Sequence, residues 1–325
     1  MICPECAAGA TTAGQVRCGA CGYEFVFQPE ADGTSDADWL DLVSRASADN
    51  RYFFTENQLY CQYARGRVQV TRYISKRGRL GLVMIVVGLG MWMYALKVDW
   101  GLTLVLGIAI TLIGVAQVGT GVVTRRDPAA REPLTRWLEK WLAHRPLPKL
   151  LRNTTLAHAG LELSPGRVEC LLIVERDALV DLLLKNDAHQ QLSALVISEA
   201  GYPERLVPEA RRLLDERSDL KVIALHDATQ RGVTLRSRLQ TSTSLPLAGR
   251  PIVDAGLFAA EVGQIEALTS AFPAAHTTHV PVDALLYPPL LAGLAGVLRG
   301  ALTISAGIFE ATDPRHDASS KERAA

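Results

Sequence analysis

Two long apolar runs dominate the pattern of hydrophobic and polar positions along this chain. Residues 80–96 are apolar throughout, and residues 102–123 are interrupted only by Thr and Gln. Five residues, Lys97 to Gly101, separate the two runs. Because a helix needs about 20 apolar residues to cross a bilayer, the pattern predicts a two-helix transmembrane hairpin over residues 79–124. A buried helical hairpin in a soluble protein is the alternative interpretation.

The charges around the two runs predict the orientation of this hairpin. Arginine and lysine are enriched on the cytoplasmic side of membrane helices. The loop between the runs holds only Lys97 and Asp99. We therefore expect a multi-pass protein of the cell (inner) membrane, with the lipid bilayer as a partner and both termini in the cytoplasm. The flanking basic residues are Arg72, Lys76, Arg77 and Arg79 before the first run, and Arg125, Arg126 and Arg131 after the second.

Strand-type apolar runs alternate with helical patterns in the C-terminal half of the chain. This alternation is typical of a parallel sheet with helices on both faces. Residues 150–310 are therefore predicted to form an α/β domain. Its strands are predicted at 168–174, 192–198, 220–225 and 251–253, and its helices at 177–185, 204–217, 232–239 and from Leu257 onward.

A late apolar stretch covers residues 285–309. Pro288 and Pro289 break it early and Arg299 interrupts it, so it is predicted to be a core helix. A third membrane span is the alternative, although a central arginine costs about 2.5–3.5 kcal/mol on insertion scales. Residues 311–325 are small and polar, which predicts a disordered tail.

Shorter segments join these larger features. Residues 28–37 are acidic and contain Gly and Pro, which predicts a linker. Residues 38–78 read as helix, helix and strand, with Thr55 as a helix cap. That outline fits either a small winged-helix-like module or a helical spacer beside the membrane.

Residues 133–146 are predicted to form an amphipathic juxtamembrane helix, which lies either on the lipid interface or against the following domain. Its apolar stripe is Leu134, Trp137, Leu138, Trp141 and Leu142.

The overall charge excludes little, but the spacing of the cysteines predicts a metal site. The 34 basic and 34 acidic residues cancel, so global charge gives no argument for nucleic acid. Of six cysteines, Cys3, Cys6, Cys18 and Cys21 form two CxxC pairs separated by eleven residues. Four thiolates at this spacing are typical of a closed, structural zinc site. Residues 1–27 are therefore predicted to be a zinc ribbon in a reducing compartment, with an iron–sulfur centre or vestigial cysteines as alternatives.

Acidic residues follow all four predicted strands. Ligands bind beyond the carboxyl ends of parallel strands, and carboxylate oxygens are the ligands that magnesium prefers. A magnesium site on this rim is therefore one hypothesis, and ordinary polar strand ends are the other. The four residues are Glu175, Glu199, Asp227 and Asp254.

Three segments of this domain resemble the Toprim family, whose fold is Rossmann-like. They are Leu172–Glu175, Ser198–Pro203 and Ile223–Gly232. Gly201-Tyr-Pro203 looks like the Gly-x-Pro segment of the topoisomerase VI A branch, and Thr55–Cys61 looks like its winged-helix segment. The resemblance implies magnesium bound by a glutamate after the first strand and a DxD after the third, serving phosphodiester cleavage.

Two departures from the family pattern change that expectation. The DxD appears as Asp227-Ala-Thr229, which lacks the second carboxylate, and the tyrosine pair appears as Tyr60-Cys61, with cysteine at the place of the nucleophile. The resemblance then implies a degenerate, membrane-tethered member that keeps the fold.

Three functions remain open from the sequence. The first is a membrane-anchored zinc-ribbon protein whose cytoplasmic Toprim-like domain is a non-catalytic binding or scaffold module for nucleic acid or a protein partner. The second is a magnesium-dependent phosphoesterase or nuclease that uses Glu175 and Asp227. The third is a regulatory component of a larger membrane complex.

Overall fold

The computed structural model describes residues 2–8, 16–65, 67, 69–74, 76–98, 101–127, 129–152, 167–269, 271–272 and 279–312. These residues fall into two compact units. One lies within residues 1–67 and 129–325, and the other within residues 68–128. The predicted tail at 311–325 lies almost entirely outside the described residues.

The elements of the first half are short, apart from two long consecutive helices. In chain order they are α1 (Pro29–Asp32), α2 (Asp36–Ser47), β1 (Phe54–Thr55), α3 (Glu56–Ala64), β2 (Gln69–Ile74), α4 (Lys76–Val98), α5 (Gly101–Gly121), β3 (Val122–Asp127), α6 (Arg131–Leu142) and β4 (Leu150–Leu151).

The second half alternates strands and helices. In chain order it contains β5 (Cys170–Val174), α7 (Asp177–Lys185), α8 (Ala188–Gln191), β6 (Ala194–Ser198), α9 (Val207–Glu216), β7 (Lys221–Leu225), α10 (Leu235–Thr241), β8 (Ile252–Asp254), α11 (Ala259–Val262), α12 (Glu266–Thr269), α13 (Tyr287–Arg299) and α14 (Ile304–Thr312). Short 3-10 turns lie at Glu204–Leu206, Gly232–Thr234 and Val282–Ala284.

The main sheet has four parallel strands in the order β6-β5-β7-β8. The register places Leu172 of β5 opposite Val196 of β6 and Ile223 of β7. Every residue of β5 and β6 is buried, as expected for continuous apolar strands covered on both faces. The structure thus confirms the predicted α/β domain with a parallel sheet.

The predicted linker at 28–37 is instead ordered secondary structure. Pro29 opens α1, Gly33 ends it with a positive φ of 69°, and Ser35 caps α2 in a capping box with Asp38. Asp36 is buried at the start of α2. The Gly and Pro that resembled linker composition are helix-boundary residues here.

The predicted module at 38–78 is not a separate winged helix. Thr55 does cap α3, in a capping box with Gln58. However, β2 pairs with β3 in the unit of residues 68–128, while β1 pairs with β4. Helices α2 and α3 share one hydrophobic core with the main sheet, because their apolar faces have no other surface on which to be buried.

Helix α6 buries its apolar stripe within the protein. Trp141 packs against Phe27 and Trp39, with ring centroids 5.9 and 6.1 Å apart, and Trp137 donates to the Asp32 carbonyl oxygen at 2.8 Å. The stripe is therefore not available to a lipid interface. Its partners come from the N-terminal segment, and not only from the following domain as predicted.

The unit of residues 68–128 contains α4 and α5, whose backbones approach closely. A Cβ atom added to Gly88 would lie 2.7 Å from the Gly107 carbonyl oxygen, and one added to Gly114 would lie 2.7 Å from that of Gly81. The outer faces are apolar and exposed, as at Val86 (69%). Among the described residues, one helix segment, Arg79–Lys97, is long and apolar enough to cross a membrane, and Leu102–Gln117 is apolar but shorter.

The stretch at 285–309 forms two helices instead of one. The chain breaks at Gly300, whose φ of 119° ends α13 after 13 residues. Leu290 and Leu294 are buried in the core, and Gly296 lies against Gly307 of α14 so closely that an added Cβ would be 2.4 Å from its Cα. Neither helix has the length of a membrane span, so the core interpretation holds.

Candidate functional site

The four N-terminal cysteines converge on one point. The Sγ atoms of Cys3 and Cys21 are 3.5 Å apart, and those of Cys6 and Cys18 are 3.6 Å apart. All four sulfurs lie within 4.8 Å of one another. Zinc–sulfur bonds of about 2.3 Å in a tetrahedron would place the sulfurs about 3.8 Å apart. The quartet therefore has the geometry of a site that could hold a metal.

The local backbone favours the thiolate form at Cys18, whereas burial and the neighbouring thiols raise the pKa of Cys6 and of Cys21. Gly22 takes a positive φ of 78°, and the turn closes with a hydrogen bond from its N–H to the Cys18 carbonyl oxygen at 2.9 Å. Backbone hydrogen bonds at Cys21 and Ala20 lower the pKa of the Cys18 thiol to about 6. Thiolate is the form of cysteine that binds metals.

A buried carboxylate joins the cysteine cluster to α2. Asp36 accepts hydrogen bonds from the Tyr23 hydroxyl at 2.9 Å and from the backbone N–H groups of Val26 and Phe27 at 3.0 and 2.8 Å. The Arg145 guanidinium lies 4.0 Å from the Tyr23 ring centroid. The cluster is thus fixed to the body of the protein, as a structural site would be.

A second chemical centre lies at the carboxyl edge of the main sheet. Glu175 follows β5, Glu199 follows β6, Asp227 lies two residues beyond β7, and Asp254 ends β8. The four acids share this edge but do not form one ligand cluster. Among the described residues, the group of three or more potential metal ligands with donor atoms within 4.8 Å of one another is the cysteine quartet.

Arg176 neutralises the centre of the rim. Its Nε and Nη2 atoms donate to the two carboxylate oxygens of Asp227 at 2.6 and 3.1 Å, and Nη2 also donates to Asp283 at 2.5 Å. Asp227 accepts a further bond from the Val282 N–H at 2.8 Å, and Asn57 of α3 donates to Asp283 at 3.1 Å. The side chains of Asp227 and Asp283 are 7% and 3% exposed, so this network is nearly closed to water.

The two glutamates of the rim are also in contact with other groups of the chain. Arg238 donates to both oxygens of Glu199 at 2.6 and 2.7 Å, and this pairing holds the Glu199 pKa below its ordinary value. Glu175 accepts a hydrogen bond from the Asp227 N–H at 3.1 Å. Its other oxygen lies 3.9 Å from Nε of Arg231.

His226 is fully buried beside Asp254. Nδ1 lies 2.7 Å from the Asp227 carbonyl oxygen, and Nε2 lies 2.9 Å from Oδ1 of Asp254. Both neighbours are acceptors, although the contact between Nε2 and Asp254 is a short distance without hydrogen-bond geometry. Burial lowers the pKa of His226, but the Asp254 and Asp227 contacts outweigh burial and raise it above 6.5. Gly256 packs on the ring, where an added Cβ would lie 2.0 Å from Nε2.

Comparison with known proteins identifies this part of the chain. Residues 170–247 match the family model for the Toprim domain that Spo11 shares with the A-type chain of topoisomerase 6. This segment is similar to a Toprim domain, and we call it the Toprim domain below. Comparisons with curated proteins and with solved structures gave no match. The matched Toprim segment runs from β5 to just beyond α10, so the cysteine quartet, the helical hairpin and Asp283 lie outside it.

The chain lacks two groups that the resemblance leads us to expect of a DNA-cleaving protein, one in the matched segment and one in α3. Thr229, at the place of the second DxD carboxylate, accepts a hydrogen bond from the Gly232 N–H at 2.8 Å and contributes no charge. Cys61 is 1% exposed, and burial raises its pKa to about 12. Its neighbour Tyr60 donates its hydroxyl to the Ala129 carbonyl oxygen at 2.8 Å. Neither side chain is presented as a nucleophile.

Magnesium does not fit the rim as it stands. Each of the four acids predicted as ligands already has a partner from the chain: Arg176 at Asp227, Arg238 at Glu199, His226 at Asp254 and the Asp227 N–H at Glu175. A divalent ion would have to displace the guanidinium that holds Asp227. The hypothesis of a magnesium site at these four acids therefore stays a prediction, and in this arrangement the ion would have to compete with groups of the chain itself.

A cleft of about 240 Å³ lies beside the Arg176 network. It brings the start of α3 next to the Toprim rim and contains both signs of charge. Arg152 pairs with Glu56 across it at 2.7 Å, and Arg131 donates to Asn57 at 3.2 Å. The cleft is lined by Thr55, Glu56, Asn57, Arg131, Leu151, Arg152, Arg176, Ala178, Asp181 and Asp283.

Sequence reasoning missed the cations of the rim. Arg176 directly follows Glu175, so its position is visible in the sequence, but nothing there shows that it turns to Asp227. Asp283 lies 107 residues from Arg176, and no pattern links them. His226 shows no metal-ligand spacing in the sequence, and its contact with Asp254 is visible only in the folded chain.

Proposed function

We propose that this chain is a membrane-anchored zinc-ribbon protein whose Toprim domain is a non-catalytic binding module. It would lie in the inner membrane with both termini in the cytoplasm. Its partner would be nucleic acid or a cytoplasmic protein. A regulatory component of a membrane complex is one form of the same proposal.

The observation that carries the non-catalytic role is the bidentate contact of Arg176 with Asp227. Metal-assisted phosphoryl transfer requires a cation that can coordinate the substrate oxygens. A guanidinium bound to two buried aspartates has its donors directed at protein, and it cannot supply that chemistry. Thr229 removes the further carboxylate on which a metal would depend.

Plasmid cleavage tests this role directly. The purified full-length protein in detergent is incubated with supercoiled plasmid and magnesium, beside the variant Glu175→Ala. We expect no nicking and no covalent DNA adduct from either protein. Nicking by the wild type that Glu175→Ala abolishes would replace this proposal with the alternative, a magnesium-dependent phosphoesterase using Glu175 and Asp227.

The membrane anchor is supported by the exposed apolar faces of α4 and α5 and by the basic residues at one end of the hairpin. A cysteine substituted for Val98 should react with a membrane-impermeant thiol reagent in intact cells, whereas one substituted for Ser319 should not. The reverse pattern would reject the orientation. Release of the protein from membranes by carbonate would reject the anchor.

Nucleic acid is the partner for which the cleft offers specific residues. Arg131 and Arg152 line it beside the Toprim rim, and phosphate contacts by arginine give salt-dependent binding. Anisotropy of labelled duplex DNA should show binding that Arg131→Gln with Arg152→Gln weakens. Arg211→Gln with Arg212→Gln, on the exposed face of α9, is the matched control. Absence of binding would exclude nucleic acid and leave the protein-partner form, for which pull-down from zinc-replete membranes is the test.

A further inference from the structure

The backbone gathers two basic stretches at one end of the helical hairpin. Strands β2 and β3 pair antiparallel, with Arg72 opposite Thr124 and Arg125 opposite Thr71. Helix α4 begins two residues after β2, and α5 runs directly into β3. The ladder therefore holds the residues before the first helix next to those after the second.

Positive charge is concentrated at this end of the unit. Residues 68–79 and 122–128 contain six basic residues and one acid, Asp127. The opposite end, between the two helices, carries Lys97 and Asp99, which cancel, and the whole chain has a net charge of zero. We call the six basic residues the basic collar: Arg72, Lys76, Arg77, Arg79, Arg125 and Arg126.

The apolar surface of the hairpin begins where the basic collar ends. Leu80 and Val83 of α4 are 55% and 59% exposed, and Leu112 and Val115 of α5 are 64% and 54% exposed. The apolar part of α4, Arg79–Lys97, has 19 residues and is about 28 Å long, close to the roughly 30 Å of bilayer hydrocarbon. If these faces lie in lipid, the basic collar lies at the depth of the headgroups.

We propose that the basic collar binds anionic phospholipid headgroups, so that the hairpin is retained preferentially in anionic regions of the membrane. This inference rests on the proposed membrane anchor. Each basic residue near an anionic leaflet favours association about five-fold at moderate salt. One end of the hairpin carries the basic collar, whereas the other end has no net charge. This difference assigns the anionic lipid to the leaflet on the side of the collar, which is the cytoplasmic leaflet in the proposed orientation.

The test compares lipids retained by the full-length protein. Wild-type protein is reconstituted into vesicles of mixed phosphatidylcholine and phosphatidylglycerol, gently extracted, and its bound lipids are quantified against the bulk. The collar variant carries Arg72→Gln, Arg125→Gln and Arg126→Gln, and it keeps Lys76, Arg77 and Arg79 to preserve orientation. The control variant carries Arg211→Gln, Arg212→Gln and Arg236→Gln, three exposed arginines of the other unit.

We expect phosphatidylglycerol to be enriched several-fold around the wild type and the control, and to fall toward the bulk ratio around the collar variant. Enrichment should also weaken at high salt, since screening shortens the reach of surface charge. Equal lipid ratios for all three proteins would overturn the proposal.

Flotation with vesicles of pure phosphatidylcholine separates this inference from the membrane anchor. A protein that floats with neutral vesicles but shows no anionic enrichment has an anchor and no lipid-selective collar. A protein that does not float with any vesicles lacks the anchor, and the proposed function fails with it. A collar variant that floats like the wild type is correctly inserted, so its lipid ratio is interpretable.

Discussion

The cysteine quartet and the acidic rim are two clusters of potential metal ligands with opposite surroundings. The four sulfurs lie within 4.8 Å of one another, and backbone hydrogen bonds lower the pKa of the Cys18 thiol. The acids of the rim are each held by the chain itself, at the centre by Arg176 with Asp227 and Asp283. The cysteine quartet would need a bound metal cation to balance its thiolates, whereas the acidic rim is already paired with cationic side chains of the chain itself.

This difference shows why ligand-type residues at a shared edge are not sufficient for a metal site. The quartet is open to a metal because its four sulfurs face one another, and the residues packed around Cys3 and Cys18, which are Tyr23, Phe25 and Ala8, supply no cationic group. The rim is closed because its carboxylates are paired with cationic side chains from neighbouring elements. The predictions below test that contrast, from the largest expected effect to the smallest.

Loss of the quartet should have the largest effect. Structural zinc contributes about 10–16 kcal/mol of apparent binding free energy in small zinc domains, so Cys18→Ser should lose both the metal and the fold of residues 1–27. Elemental analysis of purified protein should give one zinc per wild-type chain and almost none in the variant. Cys61→Ser, outside the quartet, should keep one zinc. Iron, or a folded ribbon without metal, would contradict the assignment.

Removal of the internal cation should come second. Arg176→Gln leaves Asp227 and Asp283 buried without a counter-charge, which costs about 3–5 kcal/mol for a fully buried pair. The Arg176 side chain is 34% exposed, so we expect about 2–3 kcal/mol in chemical denaturation of the Toprim domain within the full chain.

Arg212→Gln is the matched control for that experiment. It breaks exposed contacts with Glu209 and Glu216 on α9 and should change the free energy of unfolding much less than Arg176→Gln, because exposed ion pairs contribute little to stability. Equal effects of the two substitutions would show that the Arg176 contacts contribute no more than a surface ion pair.

His226 should give a smaller, pH-dependent effect. Its pKa is raised in the folded protein, so its contribution to stability is complete below the unfolded value of about 6.5 and is lost as pH rises through the folded pKa. The free energy of unfolding of the wild type should therefore fall across that interval. His226→Gln should remove this part of the slope, and an unchanged slope would show that His226 is not the titrating group.

Thr229→Asp should be nearly neutral by itself. It adds the missing DxD carboxylate but leaves Arg176 on Asp227, so magnesium should not stabilise the variant. The double variant Arg176→Gln with Thr229→Asp removes the guanidinium as well, and magnesium should then raise its unfolding temperature. If Thr229→Asp alone responds to magnesium, the missing acid, not the internal cation, keeps the wild-type rim metal-free.

The sequence predicted best the features that depend on residues lying close together along the chain. The CxxC spacing, the capping box at Thr55 and the buried strands of the sheet all follow from residues a few positions apart. The burial of α2 and α3 in the common core was not predicted, and that of α6 was only one of two alternatives, because partners such as Phe27 for Trp141 lie far away in sequence. The pairing of the rim carboxylates with cationic side chains was not predicted for the same reason, since Asp283 and Arg176 come together only in the folded chain.

Magnesium titration of the wild-type protein tests the central claim, that the Toprim rim is closed by its own cations. Thermal unfolding of the full chain in detergent is followed with increasing magnesium, and sodium at matched ionic strength corrects for screening. A ligand at 100 times its dissociation constant would stabilise the folded state by about 2.7 kcal/mol. We predict no shift beyond the sodium control. A saturable, magnesium-specific increase that Glu175→Ala abolishes would contradict the account.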